Sequence, residues 1–172
     1  MAGSLVLTII GDDRPGLVET LSSLVAAHDG NWLESRMSRL AGKFAGIVRV
    51  EAPDTTIASL TSALAALESQ GLRVVAERSA VATETAFTPL TLDLVGADHP
   101  GIIHDIARVL AGRGVNVEEL TTECTDAPMS GQALFKATAR LRLPAGVEAD
   151  DVRRELEDLA VSLMIDLSLI HI

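Results

Sequence analysis

Leu94-Val-Gly-Ala-Asp-His-Pro-Gly-Ile102 has a counterpart upstream in Ile9-Ile-Gly-Asp-Asp-Arg-Pro-Gly-Leu17. In each copy an apolar run ends at a Gly, an Asp follows two residues later, and Pro-Gly opens an amphipathic pattern. That order reads as a strand, a tight turn and a helix start. Gly11 and Gly96 lie 85 positions apart, and the same shift carries Asp13 onto Asp98, Pro15 onto Pro100, Gly16 onto Gly101 and Asn31 onto Asn116. A chain of 172 residues with this period is two domains of roughly 80 to 90 residues rather than one of medium size.

Working outward from the repeated stretch, Ser4 to Ile10 reads as a central strand buried on both faces, because only Ser4 and Thr8 interrupt its apolar run. After Pro15, Leu17, Leu21, Leu24 and Val25 form one helical stripe, matched after Pro100 by Ile102, Ile106, Val109 and Leu110. Asn31 to Leu40 and Lys43 to Ala52 make a hairpin around Ala41-Gly42. Its counterpart joins Val115 to Thr125 with Gln132 to Leu143 through the longer connection 126–131. From Phe44 to Phe135 the shift is 91, so six residues are inserted at the tip, where insertions are tolerated. Phe44, Gly46, Val48, Val50 and Ala52 then alternate as Phe135, Ala137, Ala139, Leu141 and Leu143 do, with Arg49 and Arg140 on the other face.

A second helix follows in each half, with Ile57, Leu60, Leu64 and Leu67 inward in one and Val152, Leu156, Leu159 and Leu163 in the other. Each half closes with a strand, Leu72 to Ala80 and Ile165 to Ile170. The fold class is therefore α+β: two ferredoxin-like βαββαβ domains, each a four-stranded antiparallel sheet with two helices on one face. The expected boundaries are 1–81 and 87–172, with 82–86 as a short linker.

Composition excludes several functions. A net charge of -10 and a pI near 4.7 leave too little Lys and Arg for a phosphate-binding surface, so direct nucleic-acid binding is not expected. An apolar run long enough to span a bilayer is missing, and Met-Ala-Gly-Ser carries no basic segment before its apolar run, so a cytoplasmic protein is expected. The single Cys124 excludes an intrachain disulfide and reads as a spare thiol on a strand. His99, His104 and Asp105 are the best material for catalysis, but residues 99 and 104 are five apart, off the spacing of a helical metal pair. Neither a catalytic site, a metal nor a cofactor is expected. An RNA-recognition module shares the βαββαβ order, but it needs aromatic and basic residues where Val48, Val50, Ala139 and Leu141 stand.

The repeated loop offers its own chemistry. A Gly-containing turn before a helix presents free N–H groups to an anion such as a carboxylate, while Asp13 and Asp98 can cap the helix or accept from an ammonium. Together these groups match the two ends of an amino-acid zwitterion. An Asp before Pro-Gly is also an ordinary helix-start signal, and duplication weakens that reading without removing it.

An apolar strand, then Asp-Arg/His-Pro-Gly-Leu/Ile, then a Leu-spaced helix and an Asn opening the next strand, resembles the ACT domain. Two such domains with a short linker and no attached catalytic domain resemble most the tandem-ACT repressor group of the glycine cleavage system. The resemblance implies a non-enzymatic, amino-acid-binding regulator acting through protein contact in transcriptional control of glycine and one-carbon metabolism. It implies ligand residues Asp13, Arg14, Pro15, Gly16, Leu17 and Asn31 in the first half, and Asp98, His99, Pro100, Gly101, Ile102 and Asn116 in the second. Arg14 becomes His99, exchanging a permanent bidentate carboxylate donor for one that depends on pH, so two equivalent sites are not expected. The implied partners are a small-molecule amino acid, a partner regulatory protein and a second copy of the chain. The alternative is an ACT-fold interaction or scaffolding protein that binds no ligand.

Overall fold

The computed structural model describes residues 1–80, 84–126, 129 and 131–172. The chain divides into two compact units, Met1–Ala82 and Thr83–Ile172. The expected linker at 82–86 and the insertion at 126–131 fall partly outside the described residues.

The first unit runs β1 (Ala2–Asp12), α1 (Leu17–Ala27), β2 (Asn31–Leu40), β3 (Lys43–Pro53), α2 (Asp54–Ala65), a 3-10 turn (Ala66–Gln70) and β4 (Leu72–Arg78). The second runs β5 (Phe87–Ala97), α3 (Ile102–Gly112), β6 (Asn116–Asp126), β7 (Ala133–Pro144), α4 (Ala149–Leu163) and β8 (Ile165–His171). Strand orders are β2-β3-β1-β4 and β6-β7-β5-β8, with every pairing antiparallel. This is the expected ferredoxin-like arrangement, twice. Duplication extends to a bulge near the start of β2 and of β6, between Trp32 and Glu34 and between Val117 and Glu119.

Each core lies between one sheet face and its two helices. In the first, Leu5, Leu7 and Ile9 of β1 meet Leu17, Leu21 and Val25 of α1 and Ile57, Leu60 and Leu64 of α2. In the second, Leu90, Leu92 and Leu94 meet Ile102, Ile106 and Leu110 of α3 and Val152, Leu156 and Ala160 of α4. The stripe of α4 differs from its expected course. Ala160 continues the i, i+4 line from Val152 and Leu156, while Leu159 and Leu163 flank it and are partly buried.

β1 also departs from expectation, because it is buried on one face only. Both helices pack on the side of Leu5, Leu7 and Ile9, which leaves Thr8 and Ile10 exposed and Val6 half-buried on the other. The cores differ at one matched position as well. Trp32 packs on the first core, whereas Val117 stands in its place beside an apolar cavity of about 30 Å³ lined by Leu92, Ile103, Ala107, Leu120 and others.

Candidate ligand-binding loops

The turns between β1 and α1 and between β5 and α3 share an uncommon backbone. Gly16 has φ 90° and Gly101 has φ 93°, left-handed values that L side chains rarely adopt. A Cβ at either position would meet open space, so the backbone angle and not crowding demands glycine. These glycines are also the helix N-caps, and they supply no side-chain acceptor to the first turn. The alternative reading of Asp13 and Asp98 as helix caps therefore fails. The first-turn amides keep their positive potential toward the cleft in front of them.

Backbone bonds hold each turn against its hairpin in the same way. The Asp13 N–H donates to the Gly42 carbonyl and the Asp98 N–H to that of Ala133, both at 2.9 Å. The carboxylates meet different neighbours. Asp13 lies 2.9 Å from Arg39 Nε, whereas Asp98 lies beside Cys124, which stands 85 residues after Arg39. Local desolvation around the sulfur and the adjoining carboxylates of Asp98 and Asp126 raise the Cys124 thiol above its usual range, although the residue as a whole is exposed. Next to the first turn, Lys43 pairs with Asp12 and holds that carboxyl below its usual range, by hydrogen bonding and by charge.

Arg14 and His99 do the same structural task. Arg14 Nη2 donates to the Gln70 carbonyl at 2.7 Å, and His99 Nε2 lies 3.2 Å from the Leu163 carbonyl, each two residues before its unit's last strand. A cationic or N–H donor at the end of a helical segment satisfies a carbonyl that has no intrahelical partner. His99 Nδ1 lies 3.1 Å from the Pro100 carbonyl, so a neutral ring donates to one of these two acceptors at a time.

Two clefts adjoin the first turn. One of about 310 Å³ is lined by Asp13, Arg14, Gly16, Leu17, Val18 and Phe44, among others. The other, of about 530 Å³, runs past Arg14, Pro15, Gly16 and Thr20 to Leu67 and Gln70. Both volumes fall within the range of small-molecule sites.

The structure gathers Asp13, Arg14, Pro15, Gly16 and Leu17 at the first turn and Asp98, His99, Pro100, Gly101 and Ile102 at the second. Asn31 and Asn116 are not gathered with them. Asn31 pairs with Glu51 at one end of the sheet, while Asp12 and Lys43 pair at the other, about 26 Å away along the strand. Asn116, opposite Arg142, has the same displacement from Ala97 and Leu134. Sequence reasoning missed Arg39, Phe44 and Gln70. The two-residue hairpin at Ala41-Gly42 was the available signal for the first two, since its register sets Arg39 opposite Phe44 next to the end of β1.

Among the described residues no group of three or more His, Cys, Asp or Glu is placed to hold a metal ion, and no helix is long and apolar enough to cross a membrane. Residues 4–77 match the ACT-domain family model, the span from β1 to β4 that encloses the first turn. The N-terminal half is an ACT domain. The second half repeats the ACT fold, so the chain is a tandem of ferredoxin-like ACT repeats.

Across 161 residues the chain is 23% identical to the glycine cleavage system transcriptional repressor of Escherichia coli (strain K12), covering 92% of this chain and 85% of that protein. The crystal structure of a protein of unknown function from Galdieria sulphuraria superposes with a TM-score of 0.89 at 28% identity, over 100% of this chain and 99% of that one. A candidate glycine cleavage system transcriptional repressor of known structure superposes with a TM-score of 0.71 at 20% identity, over 100% and 98% of the two chains. That likeness establishes the shared tandem ACT fold.

Proposed function

We propose that this tandem ACT protein is a cytoplasmic, amino-acid-responsive regulator whose output is a protein contact. The observation that carries the reading is the first turn: the left-handed Gly16 leaves the start of α1 without a side-chain cap, facing a cleft rimmed by Asp13 and Arg14. A ligand carboxylate belongs at the amides and the Arg14 guanidinium, and its ammonium at Asp13. Similarity along most of the chain to a glycine cleavage repressor supports a role in transcriptional control of glycine and one-carbon metabolism. The signal would pass to a regulatory protein with a basic surface, since a chain of net charge -10 is poorly suited to DNA.

A second reading has an observation in its favour. Asp13 already pairs with Arg39, and Arg14 already bonds the Gln70 carbonyl, which is how a turn kept for structure alone would look. Thermal unfolding against a panel of amino acids separates the two, because a ligand bound only to the folded state raises the transition by mass action. A rise with one or two related amino acids at millimolar concentration, lost in Asp13→Ala, supports the sensor. No rise with any of them transfers the conclusion to a ligand-free interaction protein.

A further inference from the structure

The two sheets turn opposite characters outward. On the first, the pairing register sets Ile47 and Val75 on either side of Thr8, with Ile10 next along β1 and Ala45 beside it. Ile10, Ile47 and Val75 are 45%, 46% and 47% exposed. On the second, the matching positions of Thr8, Ile47 and Val75 are Asp93, Thr138 and Ser168, again in register. There the Thr138 hydroxyl donates to Asp93 at 2.7 Å, so that face is polar and partnered by its own side chains. The first is a contiguous branched-aliphatic surface at the centre of a sheet, a kind of patch that marks an interaction site.

We propose that this face docks a second copy of the chain, the two first sheets stacked about a two-fold axis. The charge pattern selects that occupant. Along the outer side of β4 the residues are Arg73, Val75 and Glu77. A two-fold axis through Val75, lying across the strands, sets Arg73 against Glu77 of the second copy and Val75 against its own counterpart. On β1 the same operation sets Ile10 against Val6 and Thr8 against Thr8, and on β3 Ile47 against Ile47. A two-fold interface requires such self-complementarity, which an unrelated partner would not impose. Stacked sheets cross at about 30°, and a crossing that pivots on β4 carries the far edge strand β2, with Arg36, away from its counterpart. The strands β1, β3 and β4, spaced about 4.8 Å apart, offer roughly 450 Å² per copy, less than a standard stable interface, so the dimer depends on concentration.

Sedimentation velocity on the full chain, over a series spanning about 1 to 200 µM, tests this. The wild type is expected to pass from monomer to dimer, and Val75→Glu to weaken the dimer at least about tenfold with circular dichroism unchanged. Arg73→Glu and Glu77→Arg should each weaken it, and the double variant, which restores opposite charges across the axis, should return to within about threefold of wild type. A wild type that stays monomeric throughout overturns the proposal and leaves the face to a partner of another sequence. So does a dimer indifferent to Val75→Glu, or one that the double reversal fails to restore.

Discussion

The two repeats build one loop backbone and support it with different side chains. The first holds Asp13 with Arg39 and packs Trp32 on its core; the second sets Asp98 beside Cys124 and leaves a small apolar cavity beside Val117. Topology, the bulge, the left-handed glycine and the amide clamp to the hairpin are shared. What has been kept is backbone geometry, and what has diverged is the charge and packing around it.

The largest way to break the comparison is at the matched pair of Trp32 and Val117. Trp32→Ala removes an aromatic ring packed on the first core and should cost about 2–3 kcal/mol, whereas Val117→Ala should cost less than about 1 kcal/mol, read by urea unfolding. Equal losses would mean that Trp32 contributes no more packing than Val117. Next come the glycines. Gly16→Ala and Gly101→Ala should each destabilise by about 1–2 kcal/mol through the left-handed backbone, and by similar amounts because the two angles agree. A neutral effect at either would remove the claim that the angle demands glycine.

The smaller tests concern charge. Cys124→Arg recreates the first repeat's pair on the second and should raise the urea midpoint slightly, an increment that fades at high salt because both groups are exposed. Asp98→Asn removes a carboxylate that holds the Cys124 thiol up, so the thiol should ionise at lower pH and alkylate faster at neutral pH. At Asp12 the folded-state pKa lies below its ordinary value of 3.8, so its contribution to stability is present above that value and is lost as pH falls through the depressed one. Lys43→Met should raise the Asp12 midpoint in an NMR titration. An unchanged midpoint would show that Lys43 does not set it.

Much of this was legible in the sequence because duplication supplied its own control. The 85-residue offset and the alternation in β3 and β7 led to the strands and their order, since a period of two has one reading once turns bound it. The double burial of β1 was misread for a physical reason. Val6 and Ile10 are as apolar as Leu5 and Ile9, and a strand's sequence reports that both faces want cover without saying which layer supplies it. The loop segments were legible as a continuous motif. The displacement of Asn31 was not seen, because adjacency in a motif says nothing about which end of the sheet a strand begins at. Arg39, Phe44 and Gln70 reach the loop from elements distant in sequence, and only the hairpin register could have suggested the first two.

The strand order has a consequence for synthesis. β1 lies between β3 and β4, so the first strand made in each repeat stays an open edge until the last one emerges, Leu5 pairing with Arg78 in the first. Until β4 is complete, β1 offers its unpaired groups to any strand nearby, and neighbouring repeats of one topology are those most prone to exchange strands. In a growing chain β4 arrives long before β8, its rival for that edge, so the order of translation itself directs each strand to its own sheet. Refolding from denaturant presents both at once and loses that ordering, which makes strand-exchanged species the misfolding product to look for when the purified chain is renatured.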